Sequence, residues 1–124
     1  MKAITYTVKV DVNGARFWHV KGQLHREDGP AIEYHDGSKE WFLNGLRHRV
    51  DGPAMESNGV KEWFVNGLRH REDGPAYENA GGTMFWYIEG EKYSEQDFNK
   101  KMNKISCDGK VVEVDGKKYK LTAI

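Results

Sequence analysis

The chain has 124 residues, a length that suits one domain, and we predict a single domain over residues 1–124. Its 19 basic and 19 acidic residues cancel, which argues against a sequence-specific nucleic-acid partner. The single cysteine excludes an intrachain disulfide, the first residues lack the apolar core of a signal peptide, and the longest apolar run (84–88) is too short to span a bilayer. We therefore expect a cytoplasmic protein with no membrane partner.

Residues 1–20 carry the pattern of a β-hairpin. Polar and β-branched residues alternate up to Val10, Asn13-Gly14 follows, and a second apolar stretch covers residues 17–20. Asn and Gly tolerate the positive φ angles of tight hairpin turns. We predict an N-terminal hairpin centred on Asn13-Gly14.

Residues 13–93 are internally repetitive. The tryptophans at 18, 41, 63 and 86 are 23, 22 and 23 residues apart, and a glycine follows each of them by four positions. This spacing predicts a mainly β fold, a sheet of antiparallel hairpins with a 22–23-residue period. One unit reads as a strand at 31–34, a turn at Asp36-Gly37, a second strand at 39–43 and a turn at Asn44-Gly45.

The second strand of each unit has two different faces. Alternation places Trp41 with Leu43 on one face, and Trp63 with Val65, and we predict that this face forms the core. The opposite face carries Glu40, Glu62, Phe42, Phe64 and Tyr87. Two explanations stay open for these aromatic residues, a second packed face, which we favour, and a surface that binds a ligand or partner.

After Gly90 the pattern changes. Ser94 suits a helix N-cap with Asp97 three positions on, and Phe98 and Met102 share one helical face, so we predict a short capping helix at 94–105 that covers the end of the sheet. Asp115-Gly116 between two alternating stretches predicts a terminal hairpin at 110–123.

A block His-Arg-x-Asp-Gly-Pro-Ala occurs at residues 25–31, 48–54 and 70–76, which we call corner blocks 1, 2 and 3. Proline cannot donate to a sheet ladder and Asp-Gly favours a tight turn, so each block is predicted to connect one hairpin to the next. The aspartate of each block is expected to accept backbone N–H groups or to pair with the arginine of the same block.

Neither a metal site nor catalysis fits this periodicity. Equivalent histidines in successive hairpins lie roughly 9–10 Å apart, whereas each zinc ligand must approach the metal to about 2.0–2.1 Å. An active site is a single cluster of unlike groups rather than a ladder of like ones. We expect no metal, no cofactor, no catalytic residues and no enzyme activity, with a hydrolase as the least favoured alternative.

Binding is the function that the residue pattern favours. The basic side chains of the blocks form a ladder that suits anionic groups, consisting of His25, Arg26, Arg47, His48, Arg49, Arg69, His70 and Arg71. With Phe42, Phe64 and Tyr87 these are the candidate ligand- or partner-binding residues. Each block arginine has an aspartate close by in sequence, so the ladder is available only where those pairs are open.

The units Glu40-Trp41-Phe42-Leu43-Asn44-Gly45 and Glu62-Trp63-Phe64-Val65-Asn66-Gly67, each followed by a corner block, resemble the variant MORN-type repeats of bacteriophage and bacterial accessory proteins. The resemblance covers about residues 13–93 and departs from the pattern at Val50 and Tyr93. It implies side-by-side hairpins and interaction rather than catalysis. We expect a partner protein or self-association, with a phage counter-defence role in the host cytoplasm; the alternative is a sponge for an anionic nucleotide-type signal.

Overall fold

A computed structural model describes the backbone of residues 3–107, 111–114 and 117–120, and the side chains of residues 3–103. The chain divides into two compact units, Met1–Lys92 and Tyr93–Ile124, which are described separately. In chain order the elements are β1 (Thr7–Val10), β2 (Arg16–Val20), β3 (Gln23–Leu24), β4 (Ile32–Glu33), β5 (Lys39–Glu40), β6 (Phe42–Leu43), β7 (Leu46–Arg47), β8 (Met55–Ser57), β9 (Val60–Glu62), β10 (Phe64–Val65), β11 (Leu68–Arg69), β12 (Tyr77–Glu78), β13 (Met84–Ile88), β14 (Glu91–Tyr93), α1 (Glu95–Cys107), β15 (Val111–Val114) and β16 (Lys117–Lys120).

The fold is mainly β and built from antiparallel hairpins, as the sequence predicts. One large sheet runs in the order β1-β2-β4-β5-β8-β9-β12-β13-β14, with β3 paired to β2. The pairs β6–β7 and β10–β11 form separate two-stranded sheets. The N-terminal hairpin is β1–β2, whose turn is held by Asp11 Oδ1, which accepts the backbone N–H groups of Asn13 and Ala15.

The predicted strand over residues 39–43 is wrong, because the backbone changes hydrogen-bond partners at Trp41. The Trp41 N–H donates to the Ala54 carbonyl at 2.8 Å, while the Trp41 carbonyl accepts from the His48 N–H at 3.1 Å. The strand therefore splits into β5, in the large sheet, and β6, in its own hairpin. Trp63 makes the equivalent bonds to Ala76 and His70.

The predicted core face is also wrong in the two central units. Phe42 and Phe64, on the opposite face, are 8% exposed, whereas Trp41 and Trp63 are half-buried. The apolar cluster around Phe42 contains Ala31 and Ile32, with Phe17 and Leu24 packed against it. The packed-face explanation for the phenylalanines is thus the one that their burial supports.

Backbone hydrogen bonds also link the β6–β7 and β10–β11 hairpins to their neighbours. The N–H groups of Gly45, Gly67 and Gly90 donate to the carbonyls of Leu24, Arg47 and Arg69, at 2.8 to 2.9 Å. The Leu46 side chain lies against Gly67, where an added Cβ would be 3.3 Å from Leu46 Cδ2, and Leu68 lies similarly against Gly90. The hairpins that carry the corner blocks are therefore held side by side.

The second unit contains α1 and the β15–β16 hairpin. The Asp97 N–H donates to Ser94 Oγ at 3.1 Å, so the predicted N-cap is confirmed. The helix ends two residues beyond the predicted 105. Strands β15 and β16 pair antiparallel within the predicted 110–123 hairpin, whose residues 110, 115–116 and 121–123 lie outside the described residues.

Candidate functional site

Each corner block holds its own arginine in a fixed position. In corner block 3 the guanidinium of Arg71 stacks on the Trp63 ring, with Cζ 3.8 Å from the ring centroid. Its Nε donates to Asp73 at 2.8 Å and its Nη1 to the Pro75 carbonyl at 3.0 Å. The same three contacts are made by Arg49 with Trp41, Asp51 and Pro53, and by Arg26 with Trp18, Asp28 and Pro30.

The glycine of each block makes room for this guanidinium. A Cβ added to Gly52 would lie 2.8 Å from Arg49 Cζ, and one added to Gly74 would lie 3.0 Å from Arg71 Cζ. None of the block glycines has a positive φ angle. The position therefore favours glycine because the arginine side chain approaches closely, not because of an unusual backbone conformation. The guanidinium is enclosed between the tryptophan ring and the glycine backbone, an arrangement that we call the arginine clamp.

The block histidines hold the turn of the following hairpin. The Nδ1 atoms of His25, His48 and His70 accept from the N–H groups of Asn44, Asn66 and Glu89, at 2.9 to 3.0 Å. These three N–H donors all belong to residues with φ angles of 48° to 51°. Because Nδ1 accepts a hydrogen bond, the neutral ring carries its proton on Nε2. Each histidine thus stabilises a turn with a left-handed backbone in the next unit.

The other two arginines of the basic ladder, Arg47 and Arg69, alternate with aromatic rings. Arg47 Cζ lies 5.3 Å from the Phe42 centroid and 5.7 Å from that of Phe64. Arg69 lies in the same way between Phe64 and Tyr87, at 5.3 and 5.6 Å. Arg47 donates to Glu40 through Nε and Nη2, and Arg69 pairs with Glu62 through the same two atoms. The arginine pairing compensates the burial of Glu40 and Glu62, whose residues are 9% and 7% exposed.

Glu40 also accepts the hydroxyl of Tyr34 at 2.8 Å. Burial and, secondly, this hydrogen bond raise the pKa of Tyr34 to about 12. At the nearby turn, the Ser38 N–H donates to Asp36 at 2.8 Å and lowers the pKa of that carboxyl below its ordinary value.

Two open grooves lie between successive corner blocks. The first groove, of about 540 Å³, has corner blocks 1 and 2 on its sides and Trp41 and Leu43 in its wall. The second groove, of about 700 Å³, lies between corner blocks 2 and 3 and is lined by Trp63 and Val65. Val50, which is 81% exposed, lines both grooves.

The rims of these grooves are acidic. The block arginines keep only 21–24% of their side-chain surface exposed, whereas the block aspartates keep 81–85%. Glu27 and Glu72 add side chains that are 58% and 65% exposed. An approaching molecule therefore meets carboxylates first, with the arginines held beneath them.

In the structure the arginine–aspartate pairs are formed, so the arginines in them are not free to bind a ligand without breaking a pair. Arg26, Arg49 and Arg71 are engaged by aspartates, Arg47 and Arg69 by glutamates, and the histidines by backbone donors. Ligand binding by these residues stays a prediction. Sequence reasoning missed the burial of Glu40 and Glu62 and the exposed position of Val50. The signal for the buried glutamates is a glutamate seven residues before an arginine, which occurs in two successive units.

Within residues 3–107 and the two described strands beyond them, no group of three or more His, Cys, Asp or Glu side chains is placed to hold a metal ion. In the same part of the chain no helix has the length and apolar character needed to cross a membrane. Comparison with protein-family models, with characterised proteins and with solved structures found no significant match.

Proposed function

We propose that this chain is a non-enzymatic binding protein of the variant MORN type, with its 22–23-residue period, and that it engages a partner protein through the grooves between its corner blocks. The observation that supports this proposal most strongly is that the arginines of the basic ladder are already paired within the chain. These arginines are paired with carboxylates of the same chain, so the grooves present half-buried Trp41 and Trp63 together with exposed carboxylates. Protein interfaces commonly combine an aromatic centre with a polar rim.

Phage counter-defence is the biological role that we attach to this proposal, on the resemblance alone. In that role the protein would occupy a surface of a host immune protein in the host cytoplasm.

The experiment is affinity purification from the native cell with charge variants of one groove residue. Val50→Lys adds a positive charge to the acidic rims at a position 81% exposed, so it leaves the packing intact. Glu89→Lys is the matched control, because Glu89 is not a lining residue of either groove and Lys21 holds the equivalent position with a φ angle of 50°. We expect one partner to be retained by the wild type and by Glu89→Lys and to be lost with Val50→Lys. Equal recovery with all three would refute the proposal.

A nucleotide sponge is the alternative use of the same grooves. An anion there must displace Asp51 or Asp73 from its arginine and approach past exposed carboxylates, which weakens this alternative. A thermal-shift series separates the two functions: a sponge predicts a higher melting temperature with a nucleotide, and our proposal predicts no change.

Self-association is the other alternative, and it rests on β1. In the described part of the chain β1 pairs only with β2, and all four of its residues are exposed. An edge strand of this kind can pair with a second copy. Light scattering that shows a monomer at rising protein concentration would exclude it.

A further inference from the structure

The two grooves have a spacing, a wall and a rim that together specify a class of partner. Equivalent points in successive units are separated by two strand spacings, which is about 9.5 Å. An extended chain in the polyproline II conformation rises about 3.1 Å per residue and returns to the same face every third residue, that is, every 9.3 Å or so. A β-strand does not match, because its residues i and i+3 point to opposite faces.

The walls of the grooves suit such a chain. Trp41 with Leu43 and Trp63 with Val65 give each groove an aromatic and an aliphatic side chain, beside the shared Val50. Aromatic-lined grooves bind proline-rich segments, because the polyproline II helix is preformed and loses little entropy on binding. Each tryptophan ring is held by the arginine clamp, so the wall is also preorganised.

The rims select the charge of the partner. The first groove is bordered by Glu27, Asp28 and Asp51, and the second by Asp51, Glu72 and Asp73. The arginines of both grooves are paired with the block aspartates, each through Oδ1. The exposed carboxylates complement lysine or arginine side chains at the mouth of each groove.

From this complementarity we propose that the partner presents a proline-rich basic segment in the polyproline II conformation, with Lys or Arg at every third residue. Successive basic residues reach successive grooves, and the intervening prolines contact Trp41 and Trp63. This inference rests on the proposed function and names the partner class for the same grooves.

Substitutions of Val50 can either raise or lower the expected affinity for a basic segment. It stands where the other two blocks carry Glu27 and Glu72, so Val50→Glu adds a carboxylate that both grooves share. A single exposed charge pair changes an affinity by about 1.4- to 5-fold. The two variants Val50→Glu and Val50→Lys differ by two unit charges, so their affinities for a basic segment should differ about tenfold, with the wild type between them.

The experiment measures binding of synthetic peptides to the full chain by titration calorimetry and tryptophan fluorescence. The probe is a peptide of four Lys-Pro-Pro units. The comparison peptides are the same sequence with Glu in place of Lys, and a peptide of the same composition with its lysines adjacent. We expect the probe to bind more tightly than either comparison peptide. It should bind Val50→Glu more tightly and Val50→Lys more weakly than the wild type, and it should bind Glu89→Lys as it binds the wild type. Its affinity should fall as the salt concentration is raised.

Three results would overturn the inference: no binding of the probe, equal binding of the glutamate peptide, or affinities that do not respond to position 50. Equal binding of the peptide with adjacent lysines would overturn the three-residue register. If the probe fails while the partner from the native cell still depends on position 50, the polyproline II class is wrong and the proposed function stands. If both fail, the grooves are not the binding surface.

Discussion

Replacing Arg71 by alanine tests the arginine clamp. The change removes a stacked cation 3.8 Å from the Trp63 centroid, worth about 0.5–1 kcal/mol. It also removes a charged hydrogen bond to the Pro75 carbonyl, worth about 1.5 kcal/mol. The ion pairs with Asp73 and Glu78, whose side chains are 85% and 35% exposed, add about 0.5 kcal/mol each. With allowance for non-additivity we expect a loss of about 2–3 kcal/mol of unfolding free energy.

The assay is denaturant unfolding, supported by the melting temperature. A loss of that size corresponds to roughly 8–12 °C for a chain of this length. Asp73→Ala is the matched control, because it removes only the exposed ion pair and should lower the stability by less than about 1 kcal/mol. Arg71→Lys keeps the charge but loses the planar stack, and should fall between them. Equal, small losses for Arg71→Ala and Asp73→Ala would show that the clamp is an ordinary surface ion pair.

Three further predictions concern other residues of the repeat region. Gly52→Ala should lower the unfolding free energy by about 1–2 kcal/mol, because its Cβ would lie 2.8 Å from Arg49 Cζ; a neutral result in denaturant unfolding would contradict the close approach. His48→Ala should speed the amide hydrogen exchange of Asn66, whose N–H loses its acceptor, while substitution of exposed His35 leaves that exchange rate unchanged. Tyr34 should ionise near pH 12 in an ultraviolet titration, later than an ordinary tyrosine, and Glu40→Gln should lower its pKa although burial keeps it above 10. Because the folded pKa of Tyr34 is raised, its contribution to stability is complete below about pH 10 and is lost as the pH rises towards 12; ionisation of Tyr34 near pH 10 in the wild type would contradict this.

Local features of the fold were predictable from the sequence because short-range chemistry determines them. The Asn13-Gly14 turn, the pairing of Arg71 with Asp73 and the Ser94 N-cap each involve residues within four positions of one another. The backbone preferences and short side chains of such residues act before any tertiary contact forms. The same holds for the corner blocks as connectors.

The side of the strand that faces the core was not predictable from alternation. Alternation defines two faces, and Glu40 beside Phe42 made one of them look more polar than the face of Trp41. The choice depends on Arg47, which lies opposite Phe42 in the β6–β7 hairpin and whose ion pair with Glu40 allows that glutamate to be buried. Sequence reasoning assigned Arg47 to a ligand-binding ladder and so did not pair it with Glu40.

The interpretation of the candidate site changed because its arginines are paired with carboxylates. Sequence proximity suggested that Asp51 and Asp73 could close the basic ladder, and the distances show that they do. What the sequence did not reveal is that the arginines are held between tryptophan and glycine, which leaves the carboxylates outermost. For this reason our proposal assigns basic rather than anionic partners to this surface.

The most direct test of the central claim is photo-crosslinking in the native cell, with a photoreactive amino acid placed at position 50 or at position 89. Position 50 lines both grooves and position 89 lines neither. We predict a covalent adduct with one protein from position 50 and none from position 89. Adducts of equal yield from both positions, or from position 89 alone, would contradict the claim that the grooves between the corner blocks bind a partner.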